Sequence, residues 1–210
     1  MSPLVSIVTS TWQRPQTLRD YAVWSVNSQT YPEIAHVVVI DGPGDVRTLD
    51  MLDHLGYSFG PSRRRVVVLG RNWTSYSGDG GAGATCRLVG AWMAAGEFIS
   101  YLDDDVTYEP THIEEMVAEF EEGTSFVTTC CYGAGIPLTP GPPPGLNRTD
   151  TSAIMHRALV LRDGGGFHPD GYAGDGNMIE RWLAKGLTWK FKESVTVFHP
   201  TGHHSGGPMP

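Results

Sequence analysis

The 210-residue chain predicts an α/β fold, a mostly parallel central sheet with helices on both faces in Rossmann-like order. Three observations predict it. Short β-rich runs alternate with amphipathic helical patterns through the first two-thirds of the sequence. Two of those runs, "HVVVID" and "RRVVVLG", are almost wholly apolar, as strands covered on both sides must be. Gly56, Gly96 and Gly186 each close a helical pattern, the place where a left-handed or flexible residue stops a helix.

Taken in order, "LVSIVTS" (Leu4 to Ser10) is the first strand. Arg14-Pro15 then opens a helix with Leu18, Tyr21, Ala22, Ser25 and Val26 on one face. "HVVVID" (His36 to Asp41) is the second strand, broken by "GPGD". "VRTLDMLDHLG" is a helix, and "RRVVVLG" the third strand. Glycine-rich "SGDGGAGA" (Ser77 to Ala84) leads into a helix through Leu88, Ala91, Trp92 and Ala95. "EFISYL" is a buried strand ending in Asp103, Asp104 and Asp105. "THIE" after Pro110 has the form of a capping box, Thr111 as cap and Glu114 reaching back, for a helix to about Glu122. "TSFVTTCCYG" is a strand. "GAGIPLTPGPPPG" (Gly133 to Gly145) is too rich in Pro and Gly for regular structure, and loops of that length often carry function. Order resumes at "SAIMHRALVLRDGGGF". "GDGNMIERWLAKG" is a helix burying Ile179, Trp182 and Leu183; "TWKFKE" and "SVTVF" read as two strands, and residues 201–210 as a flexible tail.

Composition bounds the function. The chain is long enough for one well-buried core and short for two. Its apolar runs fall far below the roughly 20 residues that span a bilayer, and its start lacks the basic and cleavage features of a secretory signal, so a cytoplasmic protein is expected. Cys86, Cys130 and Cys131 offer no disulfide framework and no CxxC zinc pattern. A net charge of −8 and a pI near 5.4 argue against a nucleic-acid partner but leave room for a small anion neutralised by a cation.

In parallel α/β sheets ligands bind beyond the carboxyl ends of the strands, where Asp41 and Asp103 to Asp105 fall. A D-x-D at a strand end offers two carboxylates to one hard divalent cation, Mg²⁺ or Mn²⁺, which also offsets their repulsion; an Asp-rich turn that merely ends a strand in solvent is the alternative. Asp41 reads either as a hydrogen-bond acceptor for a nucleoside or as turn chemistry before Gly-Pro. Asp175, at a helix start between two glycines, reads either as a helix-terminus carboxylate or as a general base. His199, directly after a strand, is better placed to complete a metal site than His203 or His204, while His156 and His168 read as structural.

Three blocks in order, "VSIVTSTWQRPQTLRDYAVWSVNSQTYPEIAHVVVIDG", "GAGATCRLVGAWMAAGEFISYLDDD" and "FHPDGYAGDGNMIERWLAKG", resemble the family-2 glycosyltransferases of GT-A fold over about residues 4–199. Leu88 follows Arg87 where that family usually has Asn, and Gly174 precedes Asp175 where it often has Glu. The resemblance implies one GT-A domain over residues 1–200, with 1–110 as the nucleotide-binding half and 111–200 as the acceptor-binding half. It implies inverting transfer of a sugar from a nucleotide sugar, a UDP-sugar foremost, to the hydroxyl of a glycan, lipid, protein or small molecule; a nucleotide-sugar-binding protein without turnover is the alternative. Thr9, Arg14, Asp41, Arg87, Asp103 and Asp104 would then serve the nucleotide, Asp103, Asp105 and His199 the Mn²⁺ or Mg²⁺, and Asp175 would be the catalytic base.

Overall fold

The computed structural model describes residues 2–73, 83–133, 136–137, 139, 141–146, 148–168 and 174–200. Its strands are β1 (Val5–Thr11), β2 (Ile34–Ile40), β3 (Arg64–Val68), β4 (Phe98–Tyr101), β5 (Thr107–Tyr108), β6 (Phe126–Gly133), β7 (Ile136–Pro137), β8 (Ile154–Arg157) and β9 (Trp189–His199). They form one sheet in the order β3-β2-β1-β4-β8-β6-β9-β5, with β7 paired to β6. β3, β2, β1 and β4 are parallel, as the alternating pattern predicts. β8 enters antiparallel between β4 and β6, and β9 returns parallel to β6. "TWKFKE" and "SVTVF" are one strand, β9, rather than two. Register slips against β6 on both sides of Cys130 absorb the irregularity between them.

Helix α1 is continuous through Pro15–Leu18, Arg19–Val23 and Trp24–Asn27, with a π-helical middle. That wide turn carries Val23 onto the buried face beside the expected Leu18, Ala22, Ser25 and Val26. The remaining helices are α2 (Val46–His54), α3 (Ala84–Met93), α4 (His112–Ala118), α5 (Leu159–Asp163) and α6 (Gly174–Ala184). Strand alternation splits the core in two. Val5, Ile7, Val38, Ile40, Phe98 and Leu102 face one layer with α1, α2 and α4. Val8, Val37, Val39, Ile99 and Tyr101 face the other with α3, α5 and α6. Trp182 of α6 is fully buried there, its indole N–H donating to Gly165 O at 2.8 Å.

The capping box expected at Thr111 does not form. Glu114 turns outward to accept from Thr30 Oγ1 (2.9 Å), and the Thr111 hydroxyl pairs with Glu115 instead (2.7 Å). The tertiary partner wins because Thr30 is already tethered there, its amide donating to Pro110 O at 2.8 Å. The helix also stops at Ala118, short of the expected Glu122. Most of the glycine-rich run, residues 74–82, lies outside the described residues, as do His203 and His204.

Candidate active site

The aspartate triplet occupies the turn that joins β4 to β5, so its side chains do not alternate as in a straight strand. Asp104, the middle residue, points inward and is buried. It accepts from Thr11 Oγ1 and from Arg14 Nη1, each at 2.8 Å. Burial pushes its carboxyl up to about 7, against the pull of Arg14 and Thr11; the neighbouring Asp105 and Asp103 add to the rise. Asp105 accepts from Arg14 Nη2 at 2.8 Å, and Asp103 is paired with Arg87. Two guanidinium groups therefore offset the repulsion among three adjacent carboxylates. Burial alone would lower the proton affinity of Arg14, but its pairing with Asp104 and Asp105 more than compensates.

Arg14 reaches the triplet through a constrained turn. Gln13 sits at φ 53, in the left-handed region that non-glycine residues seldom occupy. Its amide donates to Asp45 Oδ2 at 2.7 Å, while Asp45 Oδ1 accepts from Thr48 N at the start of α2 (3.3 Å). One carboxylate thus ties the β1–α1 turn to a second helix. Arg87 arrives on α3, which lies so close to the sheet that a Cβ on Gly90 would stand 2.4 Å from Val8 Cγ1 and 3.0 Å from Val39 Cγ2. Burial opposes the charge on Arg87; Asp103, Asp175 and Asp150 together outweigh it and raise its pKa.

Asp175 is the second residue of α6. Its Oδ1 accepts from the Gly176 amide (2.7 Å) and its Oδ2 from Thr151 Oγ1 (3.1 Å). Burial, then the charge of Asp150, raises its pKa above the ordinary carboxylate range despite those donors and Arg87. His199 ends β9 with a side chain only 8% exposed. Its Nε2 lies 3.3 Å from Asp150 Oδ2, yet neither ring nitrogen makes a well-formed hydrogen bond among the described residues. Burial lowers its proton affinity, but Asp150 first, then Asp103 and Asp105, raise it above the usual imidazole value.

The structure thus gathers Arg14, Arg87, Asp103, Asp104, Asp105, Asp175 and His199 about one rim of the sheet. It does not bring the Thr9 side chain there. Thr9 is fully buried, and its hydroxyl meets His36 Nε2 at 2.9 Å, the same ring's Nδ1 meeting Tyr57 Oη at 2.6 Å. Thr11, two residues on and on the same face of β1, is the hydroxyl that touches the triplet. Asp41 is buried at the end of β2 and its Oδ1 accepts from the Trp73 amide at 2.8 Å, so it anchors the loop after β3. Gly42, at φ 121, permits that contact: a Cβ there would lie 2.9 Å from Asn72 N. Two site residues escape the sequence reading. The period-two repeat from Thr9 points to Thr11, whereas nothing in "NRTD" marks Asp150 as the carboxylate that faces His199 and perturbs Asp175.

Carboxylates and an imidazole are ligand types a divalent ion takes. Among the described residues, however, the ligand atoms that close to within 4.8 Å of one another are those of Cys131, Asp150 and His199, not those of Asp103, Asp105 and His199. Asp103 and Asp105 each commit one oxygen to an arginine, and His199 presents an imidazole with no well-formed hydrogen bond.

The sequence matches the family described as glycosyl transferase family 2 over residues 6–168. No curated protein matches the chain. Among solved structures, S. aureus TarS superposes with a TM-score of 0.74 at 19% identity, covering 94% of this chain and 37% of TarS. TarS 1-349 in complex with UDP-GlcNAc gives 0.73 at 18% identity, covering 96% and 59%. The mannosyltransferase PcManGT from Pyrobaculum calidifontis, in complex with GDP-Man and Mn²⁺, gives 0.70 at 14% identity, covering 94% and 57%. The chain thus spans between about a third and three-fifths of those proteins' lengths, and at such identities the likeness is one of fold, GT-A. With the family match extending over most of its length, the chain belongs to glycosyl transferase family 2.

Proposed function

We propose that the protein is a metal-dependent, inverting glycosyltransferase that moves a sugar from a nucleotide sugar, a UDP-sugar foremost, to an acceptor hydroxyl. One observation carries the reading: two carboxylates with oxygens to spare, two arginines, a buried imidazole and a shielded carboxylate converge at the rim where α/β sheets bind ligands. The family match supports the same chemistry. So do the neighbours, one of which is a complex with UDP-GlcNAc and another a complex with GDP-Man and Mn²⁺.

In this reading residues 1–110 bind the nucleotide and 111–200 the acceptor. Asp103, Asp105 and His199 would hold Mn²⁺ or Mg²⁺, which would supply positive charge to stabilise the leaving diphosphate. Arg87 places a buried positive charge beside Asp103, where the same diphosphate comes to rest. Arg14 keeps Asp104 and Asp105 in place, and Asp104, held by Thr11 and Arg14, serves the nucleotide side of the site. Asp41 positions the loop after β3 against the nucleoside.

The acceptor oxygen attacks the anomeric carbon as that carbon's bond to the diphosphate oxygen breaks, and the hydroxyl proton passes to the Asp175 carboxylate. Gly176 and Thr151 fix the orientation of that carboxylate, while burial and Asp150 make it a stronger base than a free aspartate.

The test is incubation with Mn²⁺ and a panel of nucleotide sugars, following release of free nucleoside diphosphate by transfer or slow hydrolysis. Release from one donor class is expected, and Asp105→Ala should abolish the metal dependence of nucleotide binding. Tight donor binding without release from any member would mean a nucleotide-sugar-binding protein, and metal-independent binding in the unaltered protein would remove the metal from the scheme.

A further inference from the structure

A second group of ligands stands next to this rim. Cys131 Sγ, a carboxylate oxygen of Asp150 and a ring nitrogen of His199 all lie within 4.8 Å of one another. They come from three separate parts of the chain: the far half of β6, the segment before β8, and the end of β9. The register explains the meeting. His199 pairs with Gly133 across the parallel β6–β9 ladder, and Cys131 lies two residues before Gly133, hence on the same face. Gly133 has no side chain to stand between them. Without the slips flanking Cys130, this residue parity would be lost.

Cys131 packs within the apolar core, while Asp150 and His199 beside it have the surroundings of a ligand site. Asp150 Oδ1 is fixed by the Ser152 amide at 2.8 Å, which leaves Oδ2 directed at His199. Supporting donors of this kind commonly orient metal-binding carboxylates. The imidazole is more than nine-tenths buried, with neither nitrogen well hydrogen-bonded, a costly arrangement unless something takes the lone pair. Cys131 is fully buried and forms no disulfide, so its sulfur is free to bind an ion as thiolate with release of its proton. Tetrahedral ligands about 2.0–2.3 Å from zinc lie about 3.3–3.8 Å apart, so closing the trio takes movements of about 1 Å.

We propose that Cys131, Asp150 and His199 form a binding site for a divalent ion of the zinc class, which shares His199 with the Asp103–Asp105 carboxylate pair and therefore fills as an alternative to it. A thiolate with an imidazole selects zinc or cobalt over manganese or magnesium. Three protein ligands leave a fourth position for water or a phosphate oxygen. The site borrows His199 from the proposed donor site but stands without it, since its assembly needs no nucleotide.

The test uses the full chain, stripped with chelator under reductant and titrated with Co²⁺ alone. One equivalent should produce a near-ultraviolet thiolate-to-cobalt charge-transfer band that Zn²⁺ abolishes. Cys131→Ser should lose the band, whereas Cys130→Ser and Cys86→Ser should keep it. X-ray absorption of the zinc-loaded, unaltered protein should show one sulfur at about 2.3 Å, a measurement that depends on no variant folding. A shell of nitrogen and oxygen only, or a band that survives Cys131→Ser, overturns the site. Mn²⁺-dependent nucleotide binding, followed in parallel, should persist in Cys131→Ser; its loss there would merge the two sites into one and overturn their separation. Its absence from the unaltered protein would refute the donor reading while leaving the cobalt result to stand alone.

Discussion

His36 offers a quantitative test of how the sheet beneath the site is held. The ring is buried between β1 and β2 and spends both nitrogens on Tyr57 and Thr9. Burial, aided slightly by Arg64, lowers its pKa to about 3. The sign follows directly. A histidine whose folded pKa lies below its unfolded value favours the fold fully above the ordinary 6.5, and that contribution drains away as pH falls toward 3. At about pH 5 the unfolded chain has gained about 2 kcal/mol by protonating this one ring, and the folded chain almost nothing. His36→Asn removes that titration and keeps a polar group of similar reach. Guanidinium unfolding at about pH 7.5 and about pH 5, with chelator present, should show the variant less stable at the higher pH. The gap should then narrow by about 2 kcal/mol at the lower pH. His112 and His156, also buried and held neutral, titrate equally in both proteins and cancel in the difference. Parallel pH profiles would refute the argument, as would a His36 imidazole NMR signal that titrates near 6.5 in the native protein.

Two further perturbations test the site and its mount. Asp175→Asn should cut kcat by about 10²–10⁴ while leaving donor affinity within a few-fold, and should remove an acid limb lying above the ordinary aspartate range; equal losses in turnover and affinity would deny it the role of base. Gly90→Val should lower stability by about 1–3 kcal/mol, because its side chain must push α3 off Val8 and Val39, and an unchanged unfolding midpoint would show that the helix is not seated there.

The first half of the fold is legible because its signals are local. "VVVI" and "RRVVV" advertise buried parallel strands, and the period of α1 marks its inner face without revealing the π turn that adds Val23. The second half is harder, because β8 is an antiparallel strand of four residues whose identity depends on Ser100, Ile99 and Phe98 beside it rather than on its own pattern. Thr111 shows the same limit in miniature. Its capping-box spacing is present, but Glu114 is claimed by Thr30, more than eighty residues earlier in the chain. The site divides along the same line. The triplet, Arg87, Asp175 and His199 can be read from strand and helix ends, whereas Asp150 acquires its place only when β9 returns beside β6.

The triplet also shows why repulsion among carboxylates is a poor guide to a metal. Arg14 spans Asp104 and Asp105 with separate nitrogens, and Arg87 covers Asp103, so each carboxylate has a cationic partner without any ion, two guanidinium groups serving three acids. The stronger argument for a cation at this rim comes from His199. The ring is more than nine-tenths buried, yet its Nε2 meets Asp150 Oδ2 only at a long 3.3 Å and neither nitrogen makes a well-formed bond among the described residues. Under the proposals above, a neutral imidazole bound to a divalent ion would resolve both facts at once. The ion would replace the proton as the partner of the surrounding carboxylates, and the ring nitrogen would gain a closer partner than the 3.3 Å contact with Asp150.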